Sequence, residues 1–303
     1  MPQNPFQPLA FVTGKGGTGK STVTAALGLA SARAGRRTLV VETHNHTDIL
    51  AILGASLGKV HEEKEIRDGL HHVSIDSDAV LSEYLSDQLP GPMAAVVRRS
   101  RAFSTLAAAT PGLRELLTIG KIWEMAQPER RLPGGKPYDA VIVDAPATGH
   151  GIAMLASPHT FAQAARGGPV MSQATMINDS LKDPAQTTIL AVTRPEELPI
   201  NETIELATTV PETFPDQRLL RVLINRVLPK HFTASELERL QQAAPANRQI
   251  KAALAQAEHR AAQQRQIGRV RRALDSETAL RSLPEVGRLA DDELLALAKA
   301  AMR

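Results

Sequence analysis

Eight residues near the N-terminus have the types and the spacing to hold a polyphosphate. Gly14-Lys15-Gly16-Gly17-Thr18-Gly19-Lys20-Ser21 satisfies the pattern G-x-x-x-x-G-K-[ST]. Glycines let consecutive backbone N–H groups turn inward onto phosphate oxygens without a Cβ in the way, and a helix that starts there adds partial positive charge. Lys20 is expected to neutralise the β- and γ-phosphates, Ser21 to ligate magnesium and Thr22 to donate to the α-phosphate. The ligands implied are ATP or ADP with Mg2+. The second requirement is a carboxylate, and Asp144 meets it by closing the apolar run Tyr138-Asp139-Ala140-Val141-Ile142-Val143. At a strand end it can organise a metal-bound water beside Ser21.

These groups need a frame. Leu9 to Val12 is a short apolar run that stops at the glycine-rich loop, and from Ser21 to about Ala34 an Ala- and Leu-rich helical pattern closes at Gly35. Thr38-Leu39-Val40-Val41 then reads as a buried strand, and strand, helix and strand together make a βαβ unit of a parallel sheet. The stretch from about Asp48 to Gln127 reads as mostly helical. Further strands are predicted at 138–143, 188–193 and 219–225, and helices from Ala234 to about Ala273 and over Asp291–Ala301. Ser172–Gln186 reads as a mobile loop. The fold class is α/β: a single P-loop NTPase domain over residues 1–303, a mostly parallel sheet flanked by helices, with a small helical insertion at about 50–128.

Composition removes several chemistries. The chain has 303 residues, 43% of them hydrophobic, enough for a sizeable core. Aromatics are only 3%, so that core must rest on Leu, Ile, Val and Ala. With no cysteine, disulfides, Cys-zinc sites, iron–sulfur clusters and thiol chemistry are all excluded. The formal charge of +3 is ordinary for solubility. No apolar stretch approaches the roughly 18–20 residues that span a bilayer, and MPQNPFQP lacks a signal-peptide core, so a cytoplasmic protein is expected.

The full string Gly14-Lys15-Gly16-Gly17-Thr18-Gly19-Lys20-Ser21-Thr22 resembles the deviant P-loop of ATPases that dimerise face to face across two nucleotides. By that resemblance Lys15 reaches the partner's phosphates as a finger in trans. Asp144-Ala145-Pro146-Ala147-Thr148-Gly149-His150-Gly151 is similar to the second switch of the arsenical-pump ATPases and of the targeting ATPases for tail-anchored membrane proteins. The likeness continues through Met154–Pro158, Arg194–Leu198, Glu202-Thr203 and Asn225-Arg226. It implies a homodimeric ATPase, with Lys15, Lys20 and Asp144 in catalysis, whose nucleotide state gates an unidentified protein client or membrane-associated partner. It also implies that Asn225 reads the adenine and that the loop Leu283-Pro284-Glu285-Val286 closes over the base.

Two departures from that family stand out. The aspartate of the first switch, which orients the attacking water, falls on His44 in Glu42-Thr43-His44-Asn45-His46-Thr47-Asp48. A neutral imidazole can accept a proton, with an ordinary pKa of ~6.5, but brings no fixed negative charge. Glu42 or Asp48 could substitute if the loop refolds. His44 and His46 read as polar loop residues rather than a metal pair. A non-hydrolysing, ATP-dependent binding module is therefore the alternative reading. A relative of the partition and septum-positioning ATPases, acting on DNA or a membrane surface, is a third, against which Thr148-Gly149-His150 speaks; nucleic acid is not the expected partner. The second departure is the missing cysteine, which excludes thiolate-bound arsenite and a zinc clasp at a dimer interface.

In targeting members, helices after the first switch build an apolar groove for a client helix. Leu106 to Met125 occupy that region, with Leu116, Ile119, Ile122 and Trp123 on one face, and ordinary core is the expectation for them. Only Met93 and Met125 supply methionine there, little for an adaptable client surface. Arg260, Arg265, Arg269, Arg271 and Arg272 are expected on a solvated helical face.

Overall fold

The computed structural model describes residues 8–43, 47–56, 61–89, 91–93, 110, 112–129, 135–164, 167–217, 219–243, 247–287 and 290–302. Its strands are β1 (Leu9–Thr13), β2 (Thr38–Thr43), β3 (Lys64–Arg67), β4 (Leu70–Ile75), β5 (Ala140–Asp144), β6 (Thr187–Thr193), β7 (Leu219–Val227) and β8 (Ala279–Pro284). They form one sheet in the order β3-β4-β2-β5-β1-β6-β7-β8, parallel throughout except for the edge hairpin of β3 with β4. Strands buried on both faces must be near-continuously apolar, and Phe11, Val41, Val143 and Val192 are all at 0% exposure. β1 lies in the middle, with later strands added on both sides. The loops leaving its C-terminal end therefore open at the reversal of strand order, where open α/β sheets bind ligands.

The helices are α1 (Lys20–Arg33), α2 (Asp48–Leu53), α3 (Ser77–Gln88), α4 (Leu113–Met125), α5 (Thr148–Ala164), α6 (Pro169–Lys182), α7 (Glu197–Thr213), α8 (Ala234–Ala243), α9 (Arg248–Ala273) and α10 (Asp291–Met302). Alternate residues of each strand feed two cores. Val12, Val40, Ile142 and Val192 pack with α1 and α10; Phe11, Val41, Val143 and Ile189 pack with α4, α5, α6, α7 and α9. Val40 lies opposite Ile142 and Glu42 opposite Asp144 in the parallel register, so both carboxylates leave the sheet on the α1 side.

Three sequence expectations need correction. The stretch about 50–128, expected to be mostly helical, holds α2, α3 and α4 but also two unforeseen strands: β3 and β4 lie within it, and β4 is hydrogen-bonded along its whole length to β2. His71 and His72 interrupt the apolar run of β4 and hide it. His72 is tolerated at 4% exposure because its Nε2 lies 2.6 Å from Glu42 Oε2. Ser172–Gln186 is mostly helix α6 rather than a loop, with Ala174, Ile177 and Leu181 buried at helical spacing. Leu283-Pro284 does not lie in a free loop but ends strand β8, with Leu283 fully buried and Pro284 exposed.

The helical face behaves as core in the main. Ile119 and Ile122 are at 0% exposure and Leu116 at 7%, whereas Trp123 is half-buried. Leu116 and Trp123 also border a cavity of about 210 Å³ between α3, α4 and α6, with Glu83 and Lys121 at its edge. Met93 is 54% exposed. On α9, Arg265, Arg271 and Arg272 are exposed, Arg260 is half-buried, and Arg269 donates to Asn201 Oδ1 at 2.7 Å. No helix among the described residues is long and apolar enough to cross a membrane.

Candidate nucleotide site at the end of the central strands

The glycine-rich loop runs from the end of β1 into α1, as its pattern requires. Gly14 has φ 141°, and a Cβ there would drive into the Val192 carbonyl on β6. Gly19 starts α1 with φ 96°, and a Cβ there would meet the Asn225 amide. Both positions are closed to side chains, by backbone angle and by space. No side chain caps α1 and no acidic residue stands in its first turn. Its first N–H groups are thus left for an external acceptor, the condition for an anion site. The loop holds its own shape: the Lys15 carbonyl accepts from Thr18 Oγ1 at 2.8 Å and from Lys20 Nζ at 3.4 Å.

Ser21 and Asp144, 123 residues apart, meet here. Ser21 Oγ donates to Asp144 Oδ2 at 2.6 Å, and Asp144 Oδ1 is buried with no hydrogen-bond partner among the described residues. Burial pushes the Asp144 carboxyl up to about 6; the Ser21 hydrogen bond and Lys20 pull it down, while Glu42 and Asp48 push it up. Burial likewise lowers Lys20, with Asp144 acting against it. A serine hydroxyl and a buried carboxylate with one oxygen left orphaned form a hard oxygen donor set of the kind Mg2+ takes, together with retained waters. The fit to that ion is good.

Asn225, at 5% exposure on β7, donates from Nδ2 to the Thr18 carbonyl at 3.0 Å and accepts from Arg226 N at 2.9 Å. Its position thus anchors the glycine-rich loop, a contact not foreseen from sequence. One N–H and one lone pair of the amide remain for a ligand. Beside it, at the C-terminal ends of β6, β7 and β8, a cleft of about 380 Å³ is bordered by Arg194, Glu196, Arg226, His259, Gln263 and Glu285. Pro284 precedes Glu285 at its rim.

Of the first-switch residues, His44 and His46 lie outside the described residues. Glu42 is fully buried and committed: Oε1 accepts from Ile49 N at 3.1 Å and Oε2 faces His72. Asp48 is exposed at the start of α2. Lys15 is ion-paired within its own chain to Glu202 on α7, and Glu202 Oε2 accepts from Thr148 Oγ1 at 2.9 Å. Sequence reasoning assigned no role to Glu202, and no local spacing signals a contact 187 residues distant.

Comparison with known proteins agrees with this geometry. The profile of the family described as anion-transporting ATPase (ArsA_ATPase) matches residues 8–167 and 168–257. ATPase BagA of Mycobacterium tuberculosis is 34% identical over 236 residues, covering 76% of this chain and 68% of that protein. ATPase GET3 of Mycosarcoma maydis is 24% identical over 231 residues, 65% of this chain and 66% of that protein. ATPase GET3 of Lachancea thermotolerans is 28% identical over 189 residues, 54% and 51% of the two chains. A glycine-rich loop set between β1 and α1, a buried carboxylate across from its serine and a profile match over most of the chain place this protein in the anion-transporting ATPase family.

Proposed function

We propose that the chain is a Mg-ATP-dependent, homodimeric ATPase whose nucleotide state gates the binding of a protein partner. The observation that carries this reading is the Ser21–Asp144 contact beneath an uncapped α1, with Lys20 beside it. Backbone N–H groups from Gly14 to Thr22 and the Lys20 ammonium would bind the phosphates, and Ser21 with Asp144 would hold Mg2+ and its waters. When bound, that ion would neutralise charge building up on the phosphates. Asn225 would meet the base with its remaining N–H while continuing to hold Thr18. Pro284, exposed at the end of β8, would cover it. Lys15 from the partner would stabilise charge developing on the γ-phosphate. The client side of the reading draws on the likeness of Asp144–Gly151 to the second switch of the targeting ATPases and on the apolar cavity between α3, α4 and α6.

ATP binding without turnover is the second reading, and the buried, doubly engaged Glu42 favours it, since that carboxylate is not free to orient a water. Hydrolysis measured with Mg2+ at several protein concentrations, in wild type and Lys15→Ala, separates the two. Turnover that rises more than linearly with protein and falls by about 10²-fold or more in the variant is the expected outcome. Tight ATP binding with no turnover in either protein would replace this reading by the binding module.

A further inference from the structure

The P-loop lysine that the dimeric reading sends to a partner is engaged at home. Lys15 Nζ is ion-paired with Glu202 Oε1, and the other oxygen of the same carboxylate accepts the Thr148 hydroxyl at 2.9 Å. Thr148 opens α5, directly after the Asp144–Ala147 segment, and Glu202 sits in the middle of α7. One carboxylate thus joins three elements: the glycine-rich loop, the start of the second switch and α7. We propose that Glu202 is a positioning residue that holds Lys15 within its own subunit and ties that hold to Thr148, so that Lys15 is released to a partner when α5 moves relative to α7. The proposal rests on the dimeric ATPase reading above.

Three features make this contact a switch rather than a structural strut. The backbone of the loop is anchored independently, through the Lys15 carbonyl, Thr18 and Asn225, so losing the ion pair frees the side chain without unfolding the loop. Helix α7 is held by Pro199, Ile200, Thr203, Leu206 and Val210, all buried, and needs nothing from Glu202. The pair itself is partly solvated, with the two side chains 36% and 30% exposed. An ion pair of that exposure biases an equilibrium by no more than about fivefold, small enough for phosphate and a partner surface to overcome. Lys15 and Thr148 both hold the Glu202 carboxyl below the usual carboxylate range, with the Lys15 hydrogen bond the larger cause. The charge is therefore present at neutral pH.

The hold can be measured without nucleotide. Acylation of the nucleotide-free full chain by an N-hydroxysuccinimide ester, followed residue by residue by mass spectrometry, reports the accessibility and basicity of Lys15. Glu202→Gln and Glu202→Ala are expected to raise the Lys15 rate about two- to fivefold against exposed Lys136 and Lys230 in the same sample. An unchanged Lys15 rate in both variants overturns the proposal. With Mg-ATP, the protein concentration giving half-maximal turnover should fall about two- to fivefold in Glu202→Gln, because the competent state is more populated before association. A concentration that stays put or rises overturns the release step. A raised acylation rate together with wild-type turnover strictly linear in protein leaves the hold on Lys15 standing and sinks the dimeric reading instead.

Discussion

Asp144 carries an energetic penalty that the nucleotide-free protein cannot relieve. Its carboxyl is raised, chiefly by burial, from 3.8 to about 6, so the folded chain resists ionising it more than the unfolded chain does. Between those values the unfolded state loses its proton first, and stability therefore falls as pH rises from about 4 to about 6 and stays lowered above. The penalty is at most about 3 kcal/mol. Asp144→Asn removes it. The expected result is a melting temperature above wild type at pH 7.5 without ligand, a difference that closes near pH 4, and loss of the extra stabilisation by Mg-ATP. A variant that melts lower than wild type at pH 7.5 would contradict the account. Glu42 shows the limit of residue-scale reading. It stands beside Asp144 in register and reads as a free substitute for the switch aspartate, yet its two oxygens are taken by Ile49 N and His72, neither of which is signalled by local sequence.

Helix α4 is where apolar periodicity allows both a groove and a core. Exposure decides: Ile119 and Ile122 face the sheet-side core at 0%, and only part of the apolar face borders the cavity. Ile119→Ala should cost about 2–5 kcal/mol in chemical denaturation, with the midpoint lowered and its slope unchanged. A loss under about 1 kcal/mol would mean that the face is a solvated groove. Elements whose signal is local were legible, as β1, β2, β5, β6, β7 and α1 show by falling within a few residues of their expected ends. β4 was not, because His71, His72 and Ser74 interrupt its apolar run, and His72 and Ser74 are buried in a strand that lies against β2. A cue was present nevertheless: Asp68-Gly69, with Gly69 at φ 70°, is a hairpin turn sequence joining β3 to β4. Helix α6 was hidden by its own polarity, since Ser172, Gln173, Thr175, Asn178, Asp179 and Ser180 surround its buried Ala174, Ile177 and Leu181, and Asn178 and Ser180 are themselves buried.

At the scale of the molecule, association should be linked to nucleotide. In Mg-ATP the melting temperature is expected to rise with protein concentration, while the nucleotide-free protein melts at a temperature independent of it. Equal concentration dependence in both conditions would detach dimerisation from ATP. The loop Gly14–Ser21 and the strand closing at Asp144 are local features: their residue types, glycine spacing and apolar flanks suffice to propose a phosphate cradle and a carboxylate, and zero cysteines suffice to exclude thiolate chemistry. Which groups meet was decided by strand order and by the packing of the helices on the sheet. Ser21 with Asp144, Lys15 with Glu202 and Thr18 with Asn225 are separated by 123, 187 and 207 residues along the chain. They touch because β5 and β6 flank β1, with β7 beyond β6, and all these strands discharge their C-terminal ends at one edge of the sheet. Periodicity records which face of an element is buried, but not which element lies next to it; that neighbour is set by packing the whole sheet between its two helical layers.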